Sequence, residues 1–452
     1  MPWYDSAVFY HIYPLGLCGC AHENDGQAVP GAFQKLDAWA AHAFELGCSA
    51  IYIGPLFESG SHGYDTVDYR RVDRRLGANE EFAAWVAACH ARGQKVIVDG
   101  VFNHVGRGFF AFRDLQEHRE GSAYRDWFCD VNFRGNNEYN DGFSYGNWGG
   151  HNLLVKLNQR NPAVQQYHFD TVRFWVEQFD IDGIQLDAAD VLDFGFMQNL
   201  RRFTEGLKPD FWLMGEVIHG DYSRWANPQT LHSVTNYELH KGLWSGHNDH
   251  NYFEIAHTMR RLQGLCGDTR LYTFSDNHDV ERLPNKLRNR AHIRHIAILV
   301  YTLWGIPSIY YGSEFGIEGK KEWGSDWPLR PCLDLADYEG ALEANPITSV
   351  YAALGRLKAA EPALTYGKPQ ELLLTTERYA FARVLDGRAL VTVLNNADAP
   401  ARLELPLPVP AEDAEDLLAD CAGSQDVAAR VENGRLIVEL PGNYGTVLGL
   451  GQ

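Results

Sequence analysis

Short apolar runs alternate with amphipathic stretches along residues 1–361. The runs VFYHIYP (8–14), AIYIGPL (50–56), KVIVDGVF (95–102), DGIQLD (182–187), FWLMGE (211–216), SVTNYE (233–238), LYTFSD (271–276) and PSIYYG (307–312) carry β-branched and aromatic residues and read as buried strands. Between them, FQKLDAWAAHAFELG, NEEFAAWVAACHARG and NPAVQQYHFDTVRFWVEQF repeat apolar residues at helical spacing. The first two end in glycine, as helix C-termini often do, and the third opens with Asn161 as N-cap and Pro162 in the first turn. Eight strands alternating with helices predict a (β/α)₈ TIM barrel rather than an open doubly wound sheet. No glycine fingerprint follows the first strand, which weakens a dinucleotide-binding reading.

Two regions break the alternation. Residues 105–160 are rich in Gly, Asn and aromatics, and no helix of the main pattern starts before Asn161. A connection of that length in a compact fold is usually functional, so 105–160 is expected to be a small excursion domain over the barrel mouth. From residue 362 the pattern becomes period two, punctuated by DG, NN and NG turns, which predicts an antiparallel β-sandwich over 362–452. The barrel is thus expected in two parts, 1–104 and 161–361. The acidic stretch VPAEDAEDLLAD is expected to be a loop or short helix.

Composition narrows the partners. The chain has 452 residues and a formal charge of −19, which disfavours nucleic acid and anionic membranes. No apolar run approaches the roughly 18 residues that span a bilayer, and the N-terminus shows no secretory pattern. The eight cysteines are scattered with no CxxC pair, as expected of free thiols in a reducing cytoplasm, and Cys18-Gly-Cys20 reads as a loop. Monomer and homodimer remain equally open.

Four strand candidates end in acidic or amide chemistry: Asp99 with Asn103 and His104, then Asp187, Glu216, and Asp279 just beyond LYTFSD. Buried carboxylates cost desolvation energy unless they react or bind something. A barrel presents the C-terminal ends of its strands at one mouth, so these groups are expected to face it together. Three carboxylates, two histidines (His104, His278) and an aromatic-rich loop suit glycoside hydrolysis, which needs one carboxylate at the anomeric carbon and one carboxylic acid at the leaving oxygen. The competing reading is an acidic metal cage, but no HxxEH-type spacing or acidic ladder supports it, and no metal ligand set is expected.

At these residues the sequence resembles the α-amylase family of glycoside hydrolases. The segments that carry the likeness occur in order: Ser61-His62-Gly63-Tyr64, Asp99-Gly-Val-Phe-Asn103-His104, VKLN (155–158), Gly183-Ile-Gln-Leu-Asp187, Gly215-Glu216 and Phe274-Ser-Asp-Asn277-His278-Asp279. The resemblance implies that Asp187 is the nucleophile, Glu216 the general acid/base, and Asp279 a group that binds sugar hydroxyls and favours the oxocarbenium-like transition state. It implies hydrogen bonds from His104 and His278 to the same ring, a platform at Tyr64 beside His62, and neighbouring subsites at Trp148 and Lys156, with Asp99 and Gln185 lining the site. The text from VKLN to Asp187 most resembles the neopullulanase and cyclomaltodextrinase branch. Ala188 hints at α-1,4 preference, and the short excursion favours short intracellular oligosaccharides over granular starch. No cofactor is expected, although Asn103 matches a Ca²⁺ ligand of calcium-binding amylases.

Two positions depart from the family pattern. Gln185 stands where the family has Arg, two residues before the nucleophile and on the same strand face. A neutral amide keeps a donor but gives up the charge, so the nucleophile is expected to titrate higher. Asp190-Val191 replaces a Lys-His pair common in starch-cleaving members. The reading is therefore a retaining hydrolase of short α-glucosides, with a transglycosylase of the same family, or a sugar-binding homologue weakened by Gln185, as alternatives.

Overall fold

The computed structural model describes residues 2–451. All eight predicted strands form: β1 (Phe9–Ile12), β2 (Ala50–Ile53), β3 (Lys95–Gly100), β4 (Gly183–Leu186), β5 (Trp212–Gly215), β6 (Ser233–Val234), β7 (Tyr272–Phe274) and β8 (Ile306–Tyr310). They make one parallel sheet in the order β6-β5-β4-β3-β2-β1-β8-β7, in which β1 to β6 follow chain order and β8 lies between β1 and β7, the nearly closed form of the expected (β/α)₈ arrangement. The strands are shorter than the apolar runs. SVTNYE shrinks most: Asn236 leaves the sheet and caps the helix Tyr237–Asn248, accepting the Leu239 N–H at 3.0 Å.

The three predicted helices are α1 (Ala32–Glu45), α2 (Asn79–Ala91) and α3 (Pro162–Phe179). Asn161 Oδ1 accepts the Ala163 N–H at 2.8 Å and Pro162 takes the first helical position, as the sequence indicates.

The chain divides into two compact units. One comprises residues 12–41 and 50–235, with β2 to β6, α2 and α3. Its core is aromatic: Trp175 stacks on Phe57 at 4.3 Å and donates its indole N–H to the Tyr69 carbonyl at 2.6 Å. The excursion belongs to this unit. It holds a helix, Phe110–His118, and a three-stranded ladder in which His151–Lys156 pairs with both His104–Gly106 and Asn147–Trp148. Arg107 fixes it, with two guanidinium nitrogens on Asp141 at 2.7 and 2.8 Å and its cation 3.8 Å from the Tyr139 ring centre.

The other unit comprises residues 1–11, 42–49 and 236–452. Beyond β8 and the helix Pro346–Ala360 it builds the C-terminal strands β9 (Lys368–Leu374), β10 (Arg378–Leu385), β11 (Arg388–Asn395), β12 (Ala401–Pro406), β13 (Glu415–Asp416), β14 (Ala428–Glu432), β15 (Arg435–Leu440) and β16 (Tyr444–Leu450). They form two antiparallel sheets, β9-β10-β11-β16-β13 and β12-β15-β14, whose inner faces share a core including Val391, Val393, Leu405, Val438 and Leu448. The C-terminal strands are tied to the helix His292–Thr302 by Arg294 Nε on the Gly445 carbonyl and Arg383 Nη1 on the Thr302 carbonyl, both at 2.9 Å. The acidic stretch VPAEDAEDLLAD is not helical. It contributes β13 to the sheet edge, where Asp416 accepts the Leu418 N–H at 3.0 Å and turns the chain.

Candidate active site

Strand register sets the nucleophile and acid candidates side by side. In the β4–β5 ladder Gln185 lies opposite Met214 and Leu186 opposite Gly215, so the next residues on the two strands are Asp187 and Glu216. Their backbones continue the pairing: Glu216 N–H donates to the Leu186 carbonyl at 2.9 Å, and Asp187 N–H to that of Gly100 at 3.3 Å. Ala188 then turns into the left-handed region, φ 48° and ψ 43°, an unfavourable conformation for a residue with a Cβ. That turn aims the Ala188 N–H at Glu216 Oε2, 3.2 Å away. The glycine of the Gly215-Glu216 segment has a packing reason, since a Cβ there would meet Leu231 Cδ1 at 2.4 Å and Ala189 Cβ at 2.7 Å.

The neighbouring ladder brings Asp99 opposite Gln185. Both side chains are buried; Asp99 Oδ1 accepts the Tyr52 hydroxyl at 2.9 Å, and the Gln185 amide oxygen has no hydrogen-bond partner. Asp99 packs against the backbone of Gly54, where a Cβ would lie 2.6 Å from its carboxylate.

His104, also buried, places Nε2 3.9 Å from Asp187 Oδ2, and its Nδ1 lies 3.1 Å from the Asn103 amide nitrogen. Burial above all, then the neighbouring His62, pushes its pKa down to about 3 against the Tyr64 backbone group that favours protonation, so the ring is neutral at physiological pH. Trp148 lies parallel to the His104 ring at 6.3 Å, and Lys156 is its ladder partner. Tyr64 donates its backbone N–H to His62 Nδ1 at 3.2 Å with the rings 6.0 Å apart, and the Tyr13 hydroxyl holds the His62 carbonyl. This unit thus gathers Asp187, Glu216, Asp99, Gln185 and His104, flanks His104 with Trp148 and Lys156, and pairs Tyr64 with His62.

His278 and Asp279 belong to the other unit, just beyond β7. Asn277 Oδ1 accepts the backbone N–H groups of Asp279 (2.8 Å) and Val280 (3.1 Å), a tight turn that sets Asp279's direction. Asp279 Oδ2 meets His278 Nε2 at 3.1 Å, and Oδ1 meets Arg330 Nη2 at 2.9 Å. Burial alone would raise this carboxyl, but His278 and then Arg330 outweigh it and hold Asp279 well below the usual carboxylate range. Arg330 Nε also donates to the His278 carbonyl at 3.2 Å. Arg330 escapes a reading of the sequence, because it lies 51 positions downstream in a loop with no motif of its own. Tyr52 and Gln159, which orient Asp99 and Asn103, escape it for the same reason.

Of the departing pair after Asp187, Val191 is exposed and Asp190 is raised above its ordinary pKa by burial. Asn103, which matches a Ca²⁺ ligand of calcium-binding amylases, gives its side chain to His104 and Gln159, and among the described residues no group of three or more His, Cys, Asp or Glu is placed to hold a metal.

With this geometry in place, comparison with known proteins is direct. The family model "Alpha amylase, catalytic domain" matches residues 12–363. Neopullulanase 2 of Thermoactinomyces vulgaris is 31% identical, over 99% of this chain and 78% of its own length. A cyclomaltodextrinase of a Bacillus species is 30% identical, over 88% of this chain and 74% of its own. The structure of the Nostoc punctiforme debranching enzyme, soaked with acarbose, superimposes with a TM-score of 0.84 at 27% identity, covering 99% of each chain. The chain belongs to the alpha-amylase family. It is a glycoside hydrolase, similar to the neopullulanase and cyclomaltodextrinase branch. No helix among the described residues is long and apolar enough to cross a membrane.

Proposed function

We propose that this enzyme is a retaining hydrolase of short α-glucosides (maltooligosaccharides, cyclic dextrins or related oligosaccharides) working through a covalent glycosyl-enzyme intermediate. The observation that carries the proposal is the in-register pair Asp187 and Glu216, bridged by the Ala188 N–H. In this scheme Asp187 forms the bond to the anomeric carbon as the glycosidic C–O bond breaks, and Glu216 gives its proton to the leaving oxygen. Water then attacks the same carbon, Glu216 takes its proton, and the Asp187 ester is released.

The motif order assigns Asp279 to the hydroxyls of the reacting ring, and its depressed pKa, set by His278 and Arg330, supports a role as a permanent anion. His104 and His278 would each donate to sugar hydroxyls, Tyr64 would stack on a sugar ring, and Trp148 and Lys156 would serve adjacent subsites. A cytoplasmic setting is part of the proposal, supported by eight scattered cysteines with no CxxC pair. The test is purified protein, with its Glu216→Gln variant, on a panel of α-linked di- and oligosaccharides. Turnover with net retention, lost in the variant, is expected; absence of turnover, or a variant equal to the parent, would sink the proposal.

A further inference from the structure

The proton position on His104 follows from one backbone donor. Asp193 N–H, which can only donate, points at the side-chain oxygen of Gln159 at 2.7 Å. That fixes the Gln159 amide so its nitrogen faces outward, toward Asn103 Oδ1 at 3.3 Å. Asn103 must then present its own nitrogen to His104 Nδ1, at 3.1 Å. A ring nitrogen that accepts a hydrogen bond carries no proton, so in a neutral imidazole the proton sits on Nε2, the atom that faces Asp187 Oδ2 at 3.9 Å. Asn103 is fully buried, Gln159 nearly so, and Gln159 also anchors α3 by accepting Gln165 Nε2 on its carbonyl at 2.7 Å. Both amides are held by the fold rather than free to turn.

We propose that Gln159 and Asn103 are positioning residues that lock His104 in the Nε2–H tautomer, so that a neutral donor is presented on the side of Asp187, to sugar oxygens bound there. The relay begins at Asp193, the N-cap of the helix Phe194–Leu207, whose side chain caps Phe196 N–H at 3.1 Å. The opposite tautomer would set a bare nitrogen lone pair against a carboxylate, a repulsive contact. The proposal rests on the roles given to Asp187 and His104 above.

The experiment is ¹⁵N NMR of histidine-labelled protein, with the His104 resonances assigned by their loss in His104→Gln. The parent is expected to show protonated Nε2 and bare Nδ1 at neutral pH; protonated Nδ1 would overturn the proposal whatever any variant does. Gln159→Glu keeps the size but replaces the amide donor with an acceptor. Asn103 should then reverse, Nδ1 of His104 should gain the proton, and kcat/KM should fall by about ten-fold or more. An Nε2–H tautomer retained in Gln159→Glu refutes the relay. Gln159→Met, which removes polarity alone, should give a mixture of tautomers. The NMR outcome needs no turnover, whereas an active Asp187→Asn variant would refute the catalytic reading and leave the tautomer result standing.

Discussion

Strand β4 has an aspartate at each end, and the two are built differently. Asp182, immediately before the strand and 2% exposed, is saturated. Its Oδ1 takes Lys95 Nζ at 3.0 Å and Lys208 Nζ at 3.1 Å, and its Oδ2 takes His90 Nε2 at 2.7 Å and the Val96 N–H at 3.0 Å. Burial would raise this carboxyl, but these donors together hold it well below the ordinary range. The backbone of Asp187, immediately after the strand, is set by the β4–β5 register, by its N–H on Gly100, and by the left-handed turn at Ala188. His104 stands 3.9 Å from it, beyond hydrogen-bonding range. A carboxylate whose lone pairs are all committed to protein donors stabilises a fold; the proposed function asks Asp187 instead to form and release a covalent bond. The foot of the strand is scaffold and its head is reactive, as in barrels generally.

The largest effect expected from this contrast separates the two ends completely. Asp187→Asn should lower kcat by at least about 10³-fold with unfolding unchanged. Asp182→Asn should leave kcat per folded molecule within about two-fold while lowering stability by about 1–2 kcal/mol, because a buried side chain loses the charge that its His90, Lys95 and Val96 donors meet. Steady-state kinetics beside urea unfolding of both variants measures this, and a catalytic defect in Asp182→Asn would erase the distinction.

Acid should sharpen it further. Asp182 has a folded pKa below its unfolded one, so its contribution is fully present above the unfolded carboxylate pKa of about 4 and disappears as pH falls through the lowered folded value. The stability gap between parent and Asp182→Asn should therefore be constant from about pH 7 to pH 5 and narrow steadily below about pH 4. A gap that stays constant down to pH 3 would mean that the lysines and His90 do not hold the charge.

At the head of the strand the corresponding lever is Gln185. It shares a strand face with Asp187, sits in register with Asp99, and leaves its amide oxygen unpaired, so Gln185→Arg would place a cation between two carboxylates. The acid limb of kcat/KM should move down by about one pH unit as the nucleophile's pKa falls. Superimposable acid limbs would show that the amide already does the cation's work.

Much of this contrast is legible in the sequence. Asp187, Glu216 and Asp279 stand out because each closes an apolar run, and period and length alone place β3, β4 and β5. The start of α3 is legible for the same reason, from the cap Asn161 and Pro162 at the first helical position. What the sequence hides are partners that meet only through register or loop closure. Arg330 on Asp279, Tyr52 on Asp99 and Gln159 on Asn103 join residues 47 to 56 positions apart. Arg, Tyr and Gln in ordinary loop or strand text carry no signal of that. The end of SVTNYE was misjudged because Asn236 reads equally well as the end of a strand or as a helix cap, and the cap prevailed.

The smallest effect tests whether strain at Ala188 serves the chemistry. A residue with a Cβ costs roughly 1–2 kcal/mol in the left-handed region. Glycine would remove that cost while adding about 0.5–1 kcal/mol of unfolded-state entropy. Ala188→Gly should therefore be neutral to about 1 kcal/mol more stable. Its looser backbone would point the N–H less firmly at Glu216, and kcat should drop about two- to five-fold, a fraction of one hydrogen bond. Asp180 near the foot of the same strand is also left-handed, at φ 56°, but its N–H closes the end of α3 on the Val176 carbonyl. Asp180→Gly should change stability and leave kcat alone. If both substitutions left kcat untouched, the turn at Ala188 would be a fold feature like its counterpart at the foot, and the orientation of Glu216 would have to come from its side-chain packing instead.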